Sequence, residues 1–185
     1  MPRVVSLCLL RWSTDRLRRK SGDASPPPEA PLVLVGRTGR RRTVTALDAN
    51  AQALGVAIGM AVAKAQALVP GLIVIDADPA ADLAGLDKLA LWALQRISPV
   101  VAADPPDGLV IDTTGADHLH GGETMMLDAI VRKFAASGVE ARAAIADTWG
   151  AAHAAARFLR RQTLVIPTGQ GTVMLRPLPP AALRL

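Results

Sequence analysis

The residue types suited to chemistry gather around one stretch of this sequence. Leu109-Val110-Ile111-Asp112-Thr113-Thr114-Gly115 is an apolar run closed by an acid, two small hydroxyl residues and a glycine. A second apolar run, Ser98-Pro99-Val100-Val101, lies upstream, and the acidic segment Asp104-Pro105-Pro106-Asp107-Gly108 joins the two. Two strands joined by an acidic turn can present carboxylates to magnesium, a hard cation that takes oxygen ligands. Such a site needs further carboxylates from other elements, so the rest of the chain decides whether the chemistry exists.

The remaining candidates are weaker. The single cysteine, Cys8, excludes an internal disulfide and a four-cysteine zinc site. Lying inside an apolar run, it reads as a small core residue. His118 and His120 are two apart, but no cysteine or acid cluster stands at ligand spacing beside them. Gly36-Arg37-Thr38-Gly39 is too short for a phosphate loop and lacks the Gly-Lys-Ser/Thr ending. Trp12, Trp92 and Trp149 suit core or interface anchors better than base-stacking platforms. Charge is more informative. Residues 1–42 hold ten Lys or Arg against three acids, or +7, while the remainder carries −2. A basic end on a nearly neutral body suits a polyanion partner. Arg40-Arg41-Arg42 in a hairpin, and Arg16, Arg18, Arg19 and Lys20 on a helix, can meet phosphates or simply guard a solvated edge; both readings stand.

The elements that must position these residues follow from periodicity. Val4 to Leu10 is near-continuously apolar, the pattern of a strand covered on both faces. Ser13 or Thr14 caps a short basic helix from Asp15 to Lys20, and Ser21 to Pro31 is a loop. Leu32 to Thr45 reads as a hairpin turning at Gly36 to Gly39, with Arg40 and Arg42 on one face and Arg41 on the other. Helices are expected over Asp48 to Leu54, Met60 to Val69, Pro79 to Ile97, Glu123 to Ala136 and Trp149 to Arg161. Leu72 to Ile75, Ala141 to Ala146 and Thr163 to Ile166 read as strands, and residues 177–185 as the lead-in to another element. Half the residues are hydrophobic and few are aromatic, so Ala, Leu and Val must fill the core. With no leader pattern and no apolar run of about 18 residues, a soluble cytoplasmic protein without a membrane partner is expected.

In order and spacing, three stretches resemble the Y-family DNA polymerases, the translesion enzymes related to UmuC and DinB, and most closely their divergent ImuB-type members. Leu7 to Leu17 is similar to the ImuB-type opening strand and helix. Asp48 to Met60, with the helix running to Pro70, resembles the fingers segment. Ser98 to Gly115, with His118-Leu119-His120-Gly121-Gly122, resembles the central palm hairpin and its exit. The resemblance implies an α+β fold: a palm of mixed or antiparallel sheet with helices packed on it, and a small inserted fingers subdomain. Residues 1–31 would then hold the first palm strand, basic helix and loop. Residues 32–76 would form the fingers, 77–170 the palm and 171–185 the start of a truncated thumb.

The family's chemistry is two-metal phosphoryl transfer, with ions about 3.5–4 Å apart held by carboxylates. The resemblance places one acid on the first strand and an adjacent Asp-Glu pair on the palm hairpin. Here the first strand has no acid, Asp15 lies too far along to substitute, and the pair falls on Asp107 and Gly108. The family's triphosphate-binding tyrosine, arginine and lysine fall on Ala49, Gln52 and Trp149. Asp112 reads as a strand-end or turn acid. The resemblance therefore implies a polymerase-shaped protein with vestigial Asp107, no catalytic residue, no metal and no cofactor. Its expected role is an adaptor in damage tolerance, translesion synthesis and SOS mutagenesis. Expected partners are DNA, an error-prone polymerase and a RecA-like accessory protein; the sliding clamp is not carried over, because the clamp-binding segment lies beyond this sequence. The alternatives are an active nucleotidyltransferase with displaced magnesium ligands, tested by Asp107→Ala, and a split-gene fragment without function.

Overall fold

A computed structural model describes residues 2–21 and 25–183. Parts of the expected loop at 21–31 and of the expected lead-in at 177–185 lie outside the described residues. Contacts divide the chain into two compact units, Met1–Leu10 with Leu83–Leu185, and Arg11–Asp82. These limits differ from boundaries at 31/32 and 76/77. The basic helix packs on strands of the second unit, and Asp82 lies inside a helix.

The first unit is built on β1 (Val4–Leu9), β5 (Val101–Asp104), β6 (Gly108–Asp112), β7 (Ala141–Ala146) and β8 (Thr163–Val165), in the order β5-β6-β1-β7-β8. β1 runs antiparallel to both β6 and β7, and β8 runs parallel to β7, the mixed sheet expected of this α+β chain. β1 is central, and its residues Val5 to Leu9 are all buried. Helices α5 (Glu123–Ala136) and α6 (Trp149–Phe158) pack against the sheet. On one face Cys8, Ala144 and Ala146 meet Ala151, Ala152, Ala155 and Ala156 of α6. Alanines on both surfaces let helix and sheet approach closely, which is how a core with few aromatics reaches full packing. Phe134 of α5 meets Trp92 edge-on at 5.8 Å, the geometry favoured by aromatic quadrupoles.

The second unit carries the sheet β3-β2-β4, from β2 (Leu32–Thr38), β3 (Arg41–Leu47) and β4 (Ile73–Asp76). β2 pairs antiparallel with β3 and parallel with β4. Val33, Val35 and Val44 pack with Ala51 of α2 (Ala49–Ala53) and with Val62 and Ala65 of α3 (Val62–Leu68). Helix α1 (Trp12–Ser21) starts earlier than Asp15. Thr14 lies inside it, donating its hydroxyl to the Arg11 carbonyl at 3.0 Å, so neither Ser13 nor Thr14 caps it. Buried Trp12 extends the helix by donating its indole N–H to the Asp82 carbonyl at 2.9 Å. The hairpin turn also moves: β2 continues to Thr38, and the chain reverses at Gly39, whose φ of 63° suits a residue without a side chain. α4 (Pro79–Arg96) runs from one unit's residues into the other's, and α7 (Gly171–Leu175) follows β8.

Candidate functional site

β1 and β6 place Cys8 directly opposite Gly108. Asp107 immediately precedes, its carbonyl accepting the Leu9 N–H at 2.7 Å. The strand pair therefore sets Cys8 against the Asp107-Gly108 segment, and of these three residues only Asp107 offers a carboxylate. That carboxylate is already engaged, with Arg157 Nη2 donating to its Oδ1 at 2.7 Å. Gly108 has no side chain to offer. Burial, reinforced by the nearby Asp107 charge, pushes the Cys8 thiol up to about 11, so it stays protonated near neutral pH and is a poor ligand. These residues do not fit two magnesium ions.

Asp104 completes the neighbourhood. It is buried at the end of β5, with its Oδ2 3.0 Å from His153 Nδ1 and 3.4 Å from Arg157 Nη2. Arg157 Nη1 also donates to Ser6 Oγ at 3.3 Å. His153 and Arg157 stand one turn apart on α6 and so share a face. Trp149, another turn back, meets His153 edge-on at 5.6 Å and stays 40% exposed. Asp112 ends β6 and accepts the Thr114 N–H at 2.9 Å. Hydrogen bonds from Thr114 hold its carboxyl below the usual range, as suits a turn acid. His118 and His120 lie on a single 3-10 turn, and among the described residues no group of three His, Cys, Asp or Glu is placed to hold a metal.

The second unit holds the basic candidates. Arg40 lies in the turn and Arg41 and Arg42 begin β3, so the expected alternation starts at Arg41, not Arg40. Arg37, Arg40 and Arg41 are exposed, while Arg42 donates to Asp76 Oδ1 at 2.5 Å beside an open hollow of about 410 Å³ lined by Arg37, Arg42 and Asp76. Arg16 is committed to Asp82 at 2.5 Å, and Arg18 to Asp48 at 2.7 Å and three loop carbonyls. Arg19 is exposed. Asp48 also caps α2 by accepting the Ala51 N–H at 2.8 Å. Ala49 opens that helix, and Gln52 accepts from Arg11 at 3.2 Å.

Sequence reasoning missed three residues. His153 and Arg157 come from an element distant from the acidic segment that holds Asp104, and the only local signal was the one-turn spacing of a His and an Arg within an alanine run. Arg3 left no signal. Its guanidinium forks onto Glu123 at 2.5 and 2.7 Å and reaches Asp147 at 2.8 Å and the Ile166 carbonyl at 3.0 Å.

Comparison with known proteins agrees with this architecture. A family model described as impB/mucB/samB matches residues 27–157. Protein ImuB of Caulobacter vibrioides is 52% identical over 132 residues, covering 71% of this chain and 28% of that protein. Among solved structures, the post-insertion binary complex of Dbh DNA polymerase is similar with a TM-score of 0.75 at 17% identity, over 94% of this chain and 50% of that one. DinB from Sulfolobus solfataricus is similar with a TM-score of 0.70 at 16% identity, over 94% of this chain and 50% of that one. The likeness to these polymerases is one of fold, and the chain spans about half their length and 28% of the curated relative's.

Proposed function

The chain belongs to the impB/mucB/samB family, the Y-family polymerase group, and from that premise we propose that it is a non-catalytic, polymerase-shaped module acting as an adaptor or scaffold in DNA-damage tolerance. The observation that carries this reading is the pairing of Cys8 with Gly108. The first strand brings a neutral thiol and the hairpin a bare backbone to the side of Asp107, and one carboxylate cannot hold two magnesium ions against water. What the fold retains is a shaped surface with a basic hairpin, suited to binding rather than to phosphoryl transfer. DNA is the proposed polyanion, with replication proteins such as an error-prone polymerase and a RecA-like accessory protein as partners in the cytoplasm. No helix among the described residues is long and apolar enough to cross a membrane.

One observation favours a second reading. Asp104 gives the site another carboxylate within 3.4 Å of the same guanidinium nitrogen that Asp107 engages. A transferase with displaced ligands would use both acids. Primer extension by the 185-residue chain with magnesium or manganese separates the two. Absence of extension, with a DNA mobility shift retained, is expected of the adaptor. Extension that disappears in Asp107→Ala or Asp104→Ala would establish the transferase instead.

A further inference from the structure

We propose that Arg157 is the resident cation of the acidic site: its guanidinium takes the place beside Asp104 and Asp107 that a divalent ion would need. The inference deepens the non-catalytic reading and rests on it. Arg157 Nη2 lies 2.7 Å from Asp107 Oδ1 and 3.4 Å from Asp104 Oδ2, and Nη1 lies 3.3 Å from Ser6 Oγ on β1. The side chain is only 15% exposed, so this is a held charge and not a passing surface contact. A guanidinium is permanently charged and weakly hydrated, which suits it to a partly buried acid pair better than an ammonium.

Gly108 leaves the space in which the guanidinium sits. A Cβ at this position would lie 2.7 Å from Arg157 Nη2 and 2.6 Å from the Leu7 carbonyl oxygen. The Leu7 carbonyl is backbone and bars a side chain of any kind at 108, an acid included, and the guanidinium fills the room this leaves beside Asp107. α6 supplies the approach: Ala151, Ala152, Ala155 and Ala156 seat the helix against the sheet, and Arg157 reaches the turn from its C-terminal end, where a cation is also favoured by the helix dipole. His153, one turn back, steadies Asp104 at 3.0 Å. The consequence is a palm site whose two acids share a cation supplied from within the chain, independent of metal supply and closed to divalent ions.

The test uses manganese as the probe on the 185-residue chain. Uptake is read from loss of the free-ion paramagnetic resonance signal, and location from broadening of the Gly108 amide resonance. The wild type is expected to leave both signals unchanged at low millimolar Mn²⁺. Arg157→Ala is expected to take up one equivalent, broaden Gly108, and lose that uptake when Asp107→Asn is added; Arg157→Lys should stay closed. Broadening of Gly108 in the wild type, or an Arg157→Ala protein with no more uptake than wild type, would overturn the proposal. If Arg157→Ala does not fold, Arg157→Ala/Asp104→Asn is read instead: its folding supports charge balance as the role of Arg157, and its failure overturns it. A wild type that extends primers yet excludes Mn²⁺ defeats the non-catalytic reading alone. A wild type that does neither, with an unresponsive Arg157→Ala, defeats this inference alone.

Discussion

Asp15 departs far from what its type suggests. Burial on α1 raises its carboxyl to about 6 from an ordinary 3.8, with Arg11 and Arg18 only partly opposing the shift. The folded chain therefore holds this proton more tightly than the unfolded chain. Its contribution to stability is fully present below about pH 4 and is lost as pH rises to about 6, above which the folded chain carries the penalty of a desolvated charge. Asp15→Asn removes that penalty. Because the side chain is only half-buried and solvent screens it, the gain at pH 7.5 should be no more than about 1 kcal/mol, or about 2–4 °C in melting temperature. Thermal melts at pH 4 and pH 7.5 check this: the variant should gain at the higher pH only, and an equal gain at both would refute the titration argument.

Elements were legible in the sequence to the degree that local physics fixed them. α5 runs over Glu123–Ala136 and β7 over Ala141–Ala146, the spans that the sequence predicts, because α5 presents one apolar stripe to the core and β7 is an apolar run buried nearly throughout. Ends set by distant partners were not legible. α1 begins at Trp12 because its indole finds the Asp82 carbonyl, and α6 stops at Phe158, short of Arg161. The site divided the same way. Asp107 and Gly108 were found because they are neighbours in a turn, whereas Arg157 came from an alanine-rich helix 50 residues away. Arg3 shows what such long-range terms contribute. It joins the start of β1 to the first turn of α5 through Glu123 and to the β7–α6 connection through Asp147, with its side chain only 12% exposed. Arg3→Met leaves both acids without their fork and should lower the urea midpoint measurably. Arg3→Lys, a point donor, should recover less than half of that. Full recovery by lysine would show that charge alone, not the forked geometry, holds these elements together.

At the scale of the whole molecule the question is how much of the +7 at residues 1–42 is available to a polyanion. Arg3, Arg16 and Arg18 are ion-paired within the fold, which reduces the basic end below its formal charge, while Arg42 pairs with Asp76 at the surface and stays half exposed. Arg37, Arg40 and Arg41 remain exposed around one hairpin turn. If this turn is where DNA docks, affinity for a duplex should fall steeply with salt, with a log–log slope of about −0.9 for each phosphate neutralised. Arg37→Ser/Arg40→Ser/Arg41→Ser should make that slope shallower by up to about 3 and leave the melting temperature near that of wild type, since none of these side chains is buried. Arg16→Ser should do the reverse, lowering the melting temperature by breaking the Asp82 pair while changing the slope little. Fluorescence anisotropy on a labelled duplex between 50 and 200 mM salt reads the slope, about 10³-fold in affinity over this range for six contacts. A triple variant with the wild-type slope would remove the hairpin from the interface and leave the charge at this end as solubility rather than recognition.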